Sequence, residues 1–283
     1  MAGAPTPERA GAVCTMGGLG SLGCARMAVQ DLRAAAAGMP AATNRPFNLN
    51  FFIQNAPKTD PAVRERTRER LRPWSAALGL GEPPRELPDL APAFDPERLS
   101  SLLALRPAVV SVRFGTPGTA ARAALKVAGI ALISSATTVA EAQTLQACGM
   151  DAVIAQGREA GGHRGAHQPA DPGDGIGTFA LVRQIVDAVR IPVIGAGGIG
   201  DGRGIAAAFA LAASGVHIGT AFLSCPEAGA DQPPRAAAYG QRYRIRWSQT
   251  HFPPVPRARC ARAAPKKWRN AASHCQSFGR CTR

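Results

Sequence analysis

The run Gln156-Gly157-Arg158-Glu159-Ala160-Gly161-Gly162-His163-Arg164-Gly165 puts a histidine directly behind paired glycines. An imidazole titrates near neutral pH, so His163 suits a general base or acid at the end of a strand. A lone histidine is more often a structural hydrogen-bonder, and the neighbourhood is what favours chemistry here. That neighbourhood includes Ile191–Gly204, an apolar stretch ending in Gly195-Ala196-Gly197-Gly198 ahead of a helix that begins after Asp201. Glycine backbone amides and a helix N-terminus together favour a phosphate. Further on, a second apolar stretch ends in His217-Ile218-Gly219-Thr220. A single glycine-rich loop would mean only a tight turn. Two such loops on the last two strands of a barrel match the usual phosphate site of that fold. Asn50 is an amide inside the otherwise apolar Phe47–Ile53, where an unpartnered amide costs a few kcal/mol. It either reads the edge of a heterocycle or is satisfied by neighbouring backbone, and both readings stay open. His167 reads as exposed, and His217 as serving strand geometry.

These residues need elements to hold them. Short apolar strands are predicted at Gly18–Gly23, Phe47–Ile53, Val109–Phe114, Ile130–Ser134, Ala152–Gln156, Pro192–Gly195 and Gly215–Ile218. Between them, helical periodicity predicts Pro7–Met16, Val29–Ala37, Thr119–Ala128, Val139–Cys148, Phe179–Val189 and Arg203–Ala213. Apolar strands alternating with amphipathic helices make a parallel sheet covered on both faces. The fold class is therefore α/β, a (β/α)₈ TIM barrel, with the first strand expected just before Met1. A dinucleotide-binding sheet is excluded by context. The glycine run comes late, and no second half with an acidic ribose-binding strand follows it. Residues 54–100 interrupt the rhythm with prolines and a charged helical run, Val63–Arg72. The stretch is too long for an ordinary βα loop. It reads as an insertion at the catalytic end that forms a partial lid, or as a solvated excursion.

The formal charge of +14 would suggest a nucleic-acid partner if it were evenly spread. Residues 231–283 hold a net +11 of it, leaving +3 on residues 1–230. The predicted organisation is a barrel domain at 1–230 and a basic, disordered or non-native tail at 231–283. The tail has no recognisable nucleic-acid module, so no nucleic acid is expected. The seven cysteines show no metal-ligand spacing, and no metal is expected. An odd cysteine count without a signal peptide places the protein in the cytoplasm. The uncharged Gly204–Pro226 is broken by Ser214-Gly215, His217 and Gly219-Thr220 into a buried helix and strand, so no membrane span is expected.

Residues 1–230 resemble the nitronate monooxygenases, also called 2-nitropropane dioxygenases. The likeness is carried in order by MAGAPTPE, GGLGSLG, RPFNLNFF, SSATTVAEA, AQGREAGGHRG, IPVIGAGGIGDGRGIAAA and GVHIGTAFL. It implies a non-covalently bound flavin mononucleotide (FMN) touching Asn50, Gln156, Gly161, Gly198, His217, Ile218, Gly219 and Thr220, and the glycine run adds Gly197 as a phosphate contact. Most relatives have Gln where this chain has His217. It implies His163 as the base that takes the α-proton of a neutral nitroalkane. The partners implied are a small-molecule substrate and O₂, with homo-oligomerisation left open. The implied reaction is oxidation of alkyl nitronates to a carbonyl compound and nitrite. An NAD(P)H-dependent flavin reductase for quinones or enoyl thioesters fits the same barrel, as does an inactive, truncated relative. The family carries a strand before MAG and helices after GTAFLSCPEA, so the expectation is a barrel lacking its first strand and native C-terminal helices, through a late start or a truncated gene together with a frameshift near residue 231. Reading the other frames of the locus tests this. Intact flanking codons without a family-like alternative frame would rule it out.

Overall fold

The computed structural model describes residues 6–25, 27–53, 60–85, 94–167, 175–225 and 227. The basic segment from residue 231, and most of the proline-rich stretches on either side of 60–85, lie outside them. Seven strands form one sheet: β1 (Gly20–Gly23), β2 (Phe47–Phe52), β3 (Val109–Arg113), β4 (Ala131–Ala136), β5 (Ala152–Gln156), β6 (Val193–Ala196) and β7 (Gly215–His217). Each strand pairs in parallel with the next in sequence. That order never reverses. The sheet therefore winds in one direction, as a barrel does, and lacks the switch point of a dinucleotide-binding sheet. This is the predicted (β/α)₈ architecture with seven consecutive strands present, and all seven predicted strands are found.

Eight helices accompany the strands among the described residues, and all but α3 pack against the sheet or one another. They are α1 (Pro7–Thr15), α2 (Val29–Ala42), α3 (Pro61–Ala77), α4 (Pro96–Leu105), α5 (Thr119–Val127), α6 (Val139–Ala147), α7 (Thr178–Ala188) and α8 (Gly202–Ala210). Their starts follow the sequence. Thr6, Asp60, Asp95, Thr138 and Asp201 each accept a hydrogen bond from an amide of the first turn, and Pro7, Pro61 and Pro96 are the first residues of α1, α3 and α4. Helix α4 was not predicted. It begins inside the stretch read as an insertion, yet it buries Arg98, Ser101 and Leu102 and packs on α2 and α5 as a ring helix. Helix α3 is the opposite case. It runs beyond the predicted Val63–Arg72, passes through Pro73 and buries no residue.

Strand residues alternate between two environments, as the pleat requires. Leu22, Leu49, Phe51, Val110, Val112, Leu132, Val153, Ala155 and Val193 point outward into the main apolar core beneath the helices. Ile133, Ala152, Ile154 and Ala196 form a separate cluster with Val109 and Ile194 on the inner face. The inner face becomes polar toward β1 and β2. There Asn48 Nδ2 donates to Ser21 Oγ (2.7 Å) and Ser111 Oγ (2.8 Å). Because every strand is parallel, all the strand ends, and the loops that follow them, gather at one mouth.

Candidate active site

His163 lies in the loop after β5, exposed, with its ring edge-on to Phe52 (centroids 5.9 Å apart) and Phe114 (6.1 Å). The loop is held by its own strand. Gln156, 4% exposed, donates from Nε2 to the His163 carbonyl (3.0 Å), and its Oε1 accepts from the Gly165 amide (2.5 Å). One partner is a carbonyl and the other an N–H, so the orientation of the amide is fixed. A hydrogen of Nε2 remains for a ligand. Farther along, Glu141 Oε1 accepts from the His167 amide (2.7 Å), and the His167 ring Nε2 meets the Ser135 carbonyl (2.9 Å). The expectation that His167 is exposed is thus corrected: it is half-buried and anchors the loop. Gly161 is half-buried, and Gly162 adopts φ +86 with open space where a side chain would be.

The start of the same loop packs against α7 and β6. Glu159 Oε2 accepts from Thr178 N and Thr178 Oγ1 (both 2.9 Å), which caps the first turn of α7. A Cβ on Gly157 would lie 2.1 Å from Thr178 Oγ1. Gly197 has φ +115, and a Cβ there would lie 2.7 Å from the Ala160 amide nitrogen. Gly197 therefore meets a need of the fold itself: the β5 and β6 loops cross in close contact.

Gly198, with φ +67, is exposed, and a Cβ there would meet only Glu159 Cβ at 3.3 Å. Register places β7 beside it, with Ala196 opposite His217. After β7 come Ile218, Gly219 and Thr220, and Thr220–Ser224 forms a short 3₁₀ helix. Among the described residues, the amides of Gly198, Gly219 and Thr220 donate to no protein group. The N-terminus of α8 is less available than expected, because Asp201 already accepts from the Arg203 and Gly204 amides. The His217 imidazole is pushed down to about 4, first by burial and then by the nearby Arg113 guanidinium.

On the other side of the mouth, Asn50 Nδ2 donates to Ser111 Oγ (2.9 Å) and to the Ser111 carbonyl (3.3 Å). The contact to a carbonyl fixes that amide too and leaves Oδ1 as an acceptor. The two readings of Asn50 are compatible: neighbouring groups satisfy its NH₂ and leave its oxygen over. Sequence reasoning passed over Arg113 and Phe114. Arg113 ends β3 and sends Nη1 to the His163 carbonyl at 3.4 Å, and burial lowers its pKa. Phe114 follows at φ 68, a backbone conformation bulky residues rarely adopt. The available signal was the alternation of Val109, Ser111 and Arg113 along one face of VVSVR. Among the described residues, no cluster of His, Cys, Asp or Glu is placed to hold a metal, and no helix is long and apolar enough to cross a membrane.

A histidine on the loop after β5, with glycine loops after the next two strands of a one-way parallel sheet, invites comparison with known proteins. The family model described as nitronate monooxygenase matches residues 1–244. The chain belongs to the nitronate monooxygenase family. It is 45% identical over 243 residues to the nitronate monooxygenase of Paraburkholderia phytofirmans, covering 85% of this chain and 66% of that protein. To the Pseudomonas aeruginosa nitronate monooxygenase it is 44% identical over 244 residues, covering 86% and 69%. The chain thus spans about two thirds of the length of the curated relatives it matches. Among solved structures, a nitroalkane oxidase from Streptomyces ansochromogenes superposes with a TM-score of 0.75 at 38% identity, covering 83% of this chain and 68% of its own. A FabK mutant from Thermotoga maritima gives 0.63 at 32% identity, covering 84% and 64%. The nitronate monooxygenases are an oxidoreductase family, and the fold matches that of these neighbours.

Proposed function

We propose that the protein is a flavin-dependent nitronate monooxygenase that uses FMN and O₂ to convert alkyl nitronates to a carbonyl compound and nitrite. The observation that carries this reading is the arrangement at the mouth. His163 stands on a pinned loop at the same end of the sheet as two neighbouring glycine loops whose amides bond to no described protein group, in a chain 45% identical to a nitronate monooxygenase. Those amides fit a phosphate, since Gly198, Gly219 and Thr220 offer donors that no described protein group uses. Gly197 shapes the loop that presents them, and Ile218 continues β7 into it. Asn50 Oδ1 and the remaining Nε2 hydrogen of Gln156 fit the polar edge of a heterocycle, and Gly161 lets the loop backbone approach it. His217, kept neutral by burial, adds no charge beside the ring. FMN, when bound, supplies the redox chemistry with O₂.

The protein's own groups do the rest. His163 takes the α-proton of a neutral nitroalkane on an imidazole nitrogen, and a preformed nitronate needs no such step. Phe52 and Phe114 pack edge-on against the exposed histidine ring and restrict its orientation. The likeness to FabK motivates a second reading on the same barrel, an NAD(P)H-dependent flavin reductase. The test is the visible spectrum of the purified protein, followed by nitrite release from ethyl nitronate in air. A flavin spectrum with stoichiometric nitrite supports the proposal. Flavin that is bleached by NADH without air, with no nitrite formed, supports the reductase. Protein that takes up no FMN contradicts both.

A further inference from the structure

The inner face of the described strands carries a single permanent charge. Arg113 shares that face with Val109 and Ser111, and the inward direction of Ser111 is fixed by its bonds to Asn48 and Asn50. Register sets Arg113 opposite Phe52 on β2. Phe52 and Phe114 pack edge-on at 5.1 Å beside it, and both contact the His163 ring, so the guanidinium shares the mouth with the proposed base. A guanidinium has five N–H donors and stays charged. Among the described residues its side chain makes one long hydrogen bond, to the His163 carbonyl, and no carboxylate lies within ion-pairing distance. Holding that carbonyl does not account for Arg113, because Gln156 already does so at 3.0 Å. A half-buried guanidinium whose other donors bond to no described protein group is open to an anion at the mouth.

We propose that Arg113 is the anion anchor of this site, presenting two parallel N–H donors to the two oxygens of the nitronate group. The inference rests on the nitronate reading and extends it to specificity. A nitronate shares the planar, two-oxygen shape of a carboxylate, the partner a guanidinium matches best. The anchor favours the anionic form of the substrate over the neutral nitroalkane, and it holds the anion next to His163.

Propionate is an unreactive probe of the same shape, and its binding needs no turnover. Isothermal titration of the purified protein, with flavin occupancy read by absorbance, should show propionate binding that competes with ethyl nitronate. Arg113→Gln should weaken it about 10- to 100-fold, as expected for hydrogen bonds to a charged group, while flavin occupancy is retained. Arg113→Lys should recover part of the loss. In the unmodified protein, propionate should protect Arg113 from phenylglyoxal, as read on its peptide by mass spectrometry; that arm requires no variant to fold. Equal propionate affinity in Arg113→Gln, or no protection of Arg113, would overturn the anchor. Flavin lost with propionate affinity unchanged would assign the guanidinium to the cofactor and overturn it as well. Propionate binding through Arg113 in a protein that releases no nitrite would keep the anchor and remove only the nitronate reading.

Discussion

The loop after β5 and the loops after β6 and β7 are all glycine-rich, but they use their glycines differently. In the β5 loop polar groups pair with the end of β5 or with neighbouring helices: Gln156 with His163 and Gly165, Glu159 with Thr178 of α7, and His167 with Glu141 of α6. Gly157 is small because α7 leaves no room for a side chain. In the β6 and β7 loops, the amides of Gly198, Gly219 and Thr220 bond to no described protein group. The contrast separates glycine needed for packing from glycine suited to a ligand, a distinction that composition alone hides. A closed, self-satisfied loop can hold a catalytic side chain in place. An open set of donors is suited to an anion.

The contrast can be broken in order of expected effect. Gly157→Ala forces a Cβ against Thr178, so it should cost at least ~3 kcal/mol and lower the melting temperature sharply, whether or not FMN is added. Normal stability would show that the β5 loop is not tightly packed. Gly198→Asp should do the reverse. Asp tolerates the left-handed conformation better than most residues, so folding should survive. The carboxylate would repel a phosphate, and FMN should be lost on purification. Flavin retained at wild-type occupancy would contradict the phosphate site.

Gln156→Leu leaves the His163 carbonyl and the Gly165 amide without their partner, at about 1–3 kcal/mol for each unmet group. Hydrogen exchange of residues 157–167 should rise and turnover should fall, with most of the flavin retained. Wholesale loss of flavin would instead make Gln156 chiefly a cofactor ligand. The smallest effect should come from His217. Its imidazole is held near 4 in the folded protein against the ordinary 6.5. The unfolded chain therefore binds a proton first as pH falls. This contribution to stability is complete above pH 6.5 and is lost progressively down to about 4. His217→Gln should flatten the fall in melting temperature over that window, and an unchanged slope would mean the ring is not held neutral.

Strand positions were legible because each is a short apolar run bounded by glycine, proline or charge. The two sheet faces were harder to read, since near-continuous apolar strands hide the alternation. Helix α4 was missed because PERLSSLLAL follows a proline-rich stretch and was absorbed into it, although Asp95-Pro96 is a sound helix start. Among the site residues, His163 and the glycine loops stood out by local pattern, and Asn50 by its polarity inside a strand. Arg113 did not, because the role proposed for it depends on there being no acid near it among the described residues, and partners across a sheet are invisible in a linear reading. The role of Gln156 as a clamp was hidden for the same reason, its partners being the backbone of the loop that follows.

The central claim is that His163, on its pinned loop, is the base, and one ratio tests it most directly. Nitrite release should be measured from nitroethane and from ethyl nitronate, with wild type and His163→Asn side by side and flavin content matched. The account predicts a loss of about 10²–10⁴-fold on nitroethane, the usual worth of a general base, and a far smaller loss on the nitronate, which has already given up its proton. Equal losses on both substrates, at equal flavin content, would contradict it.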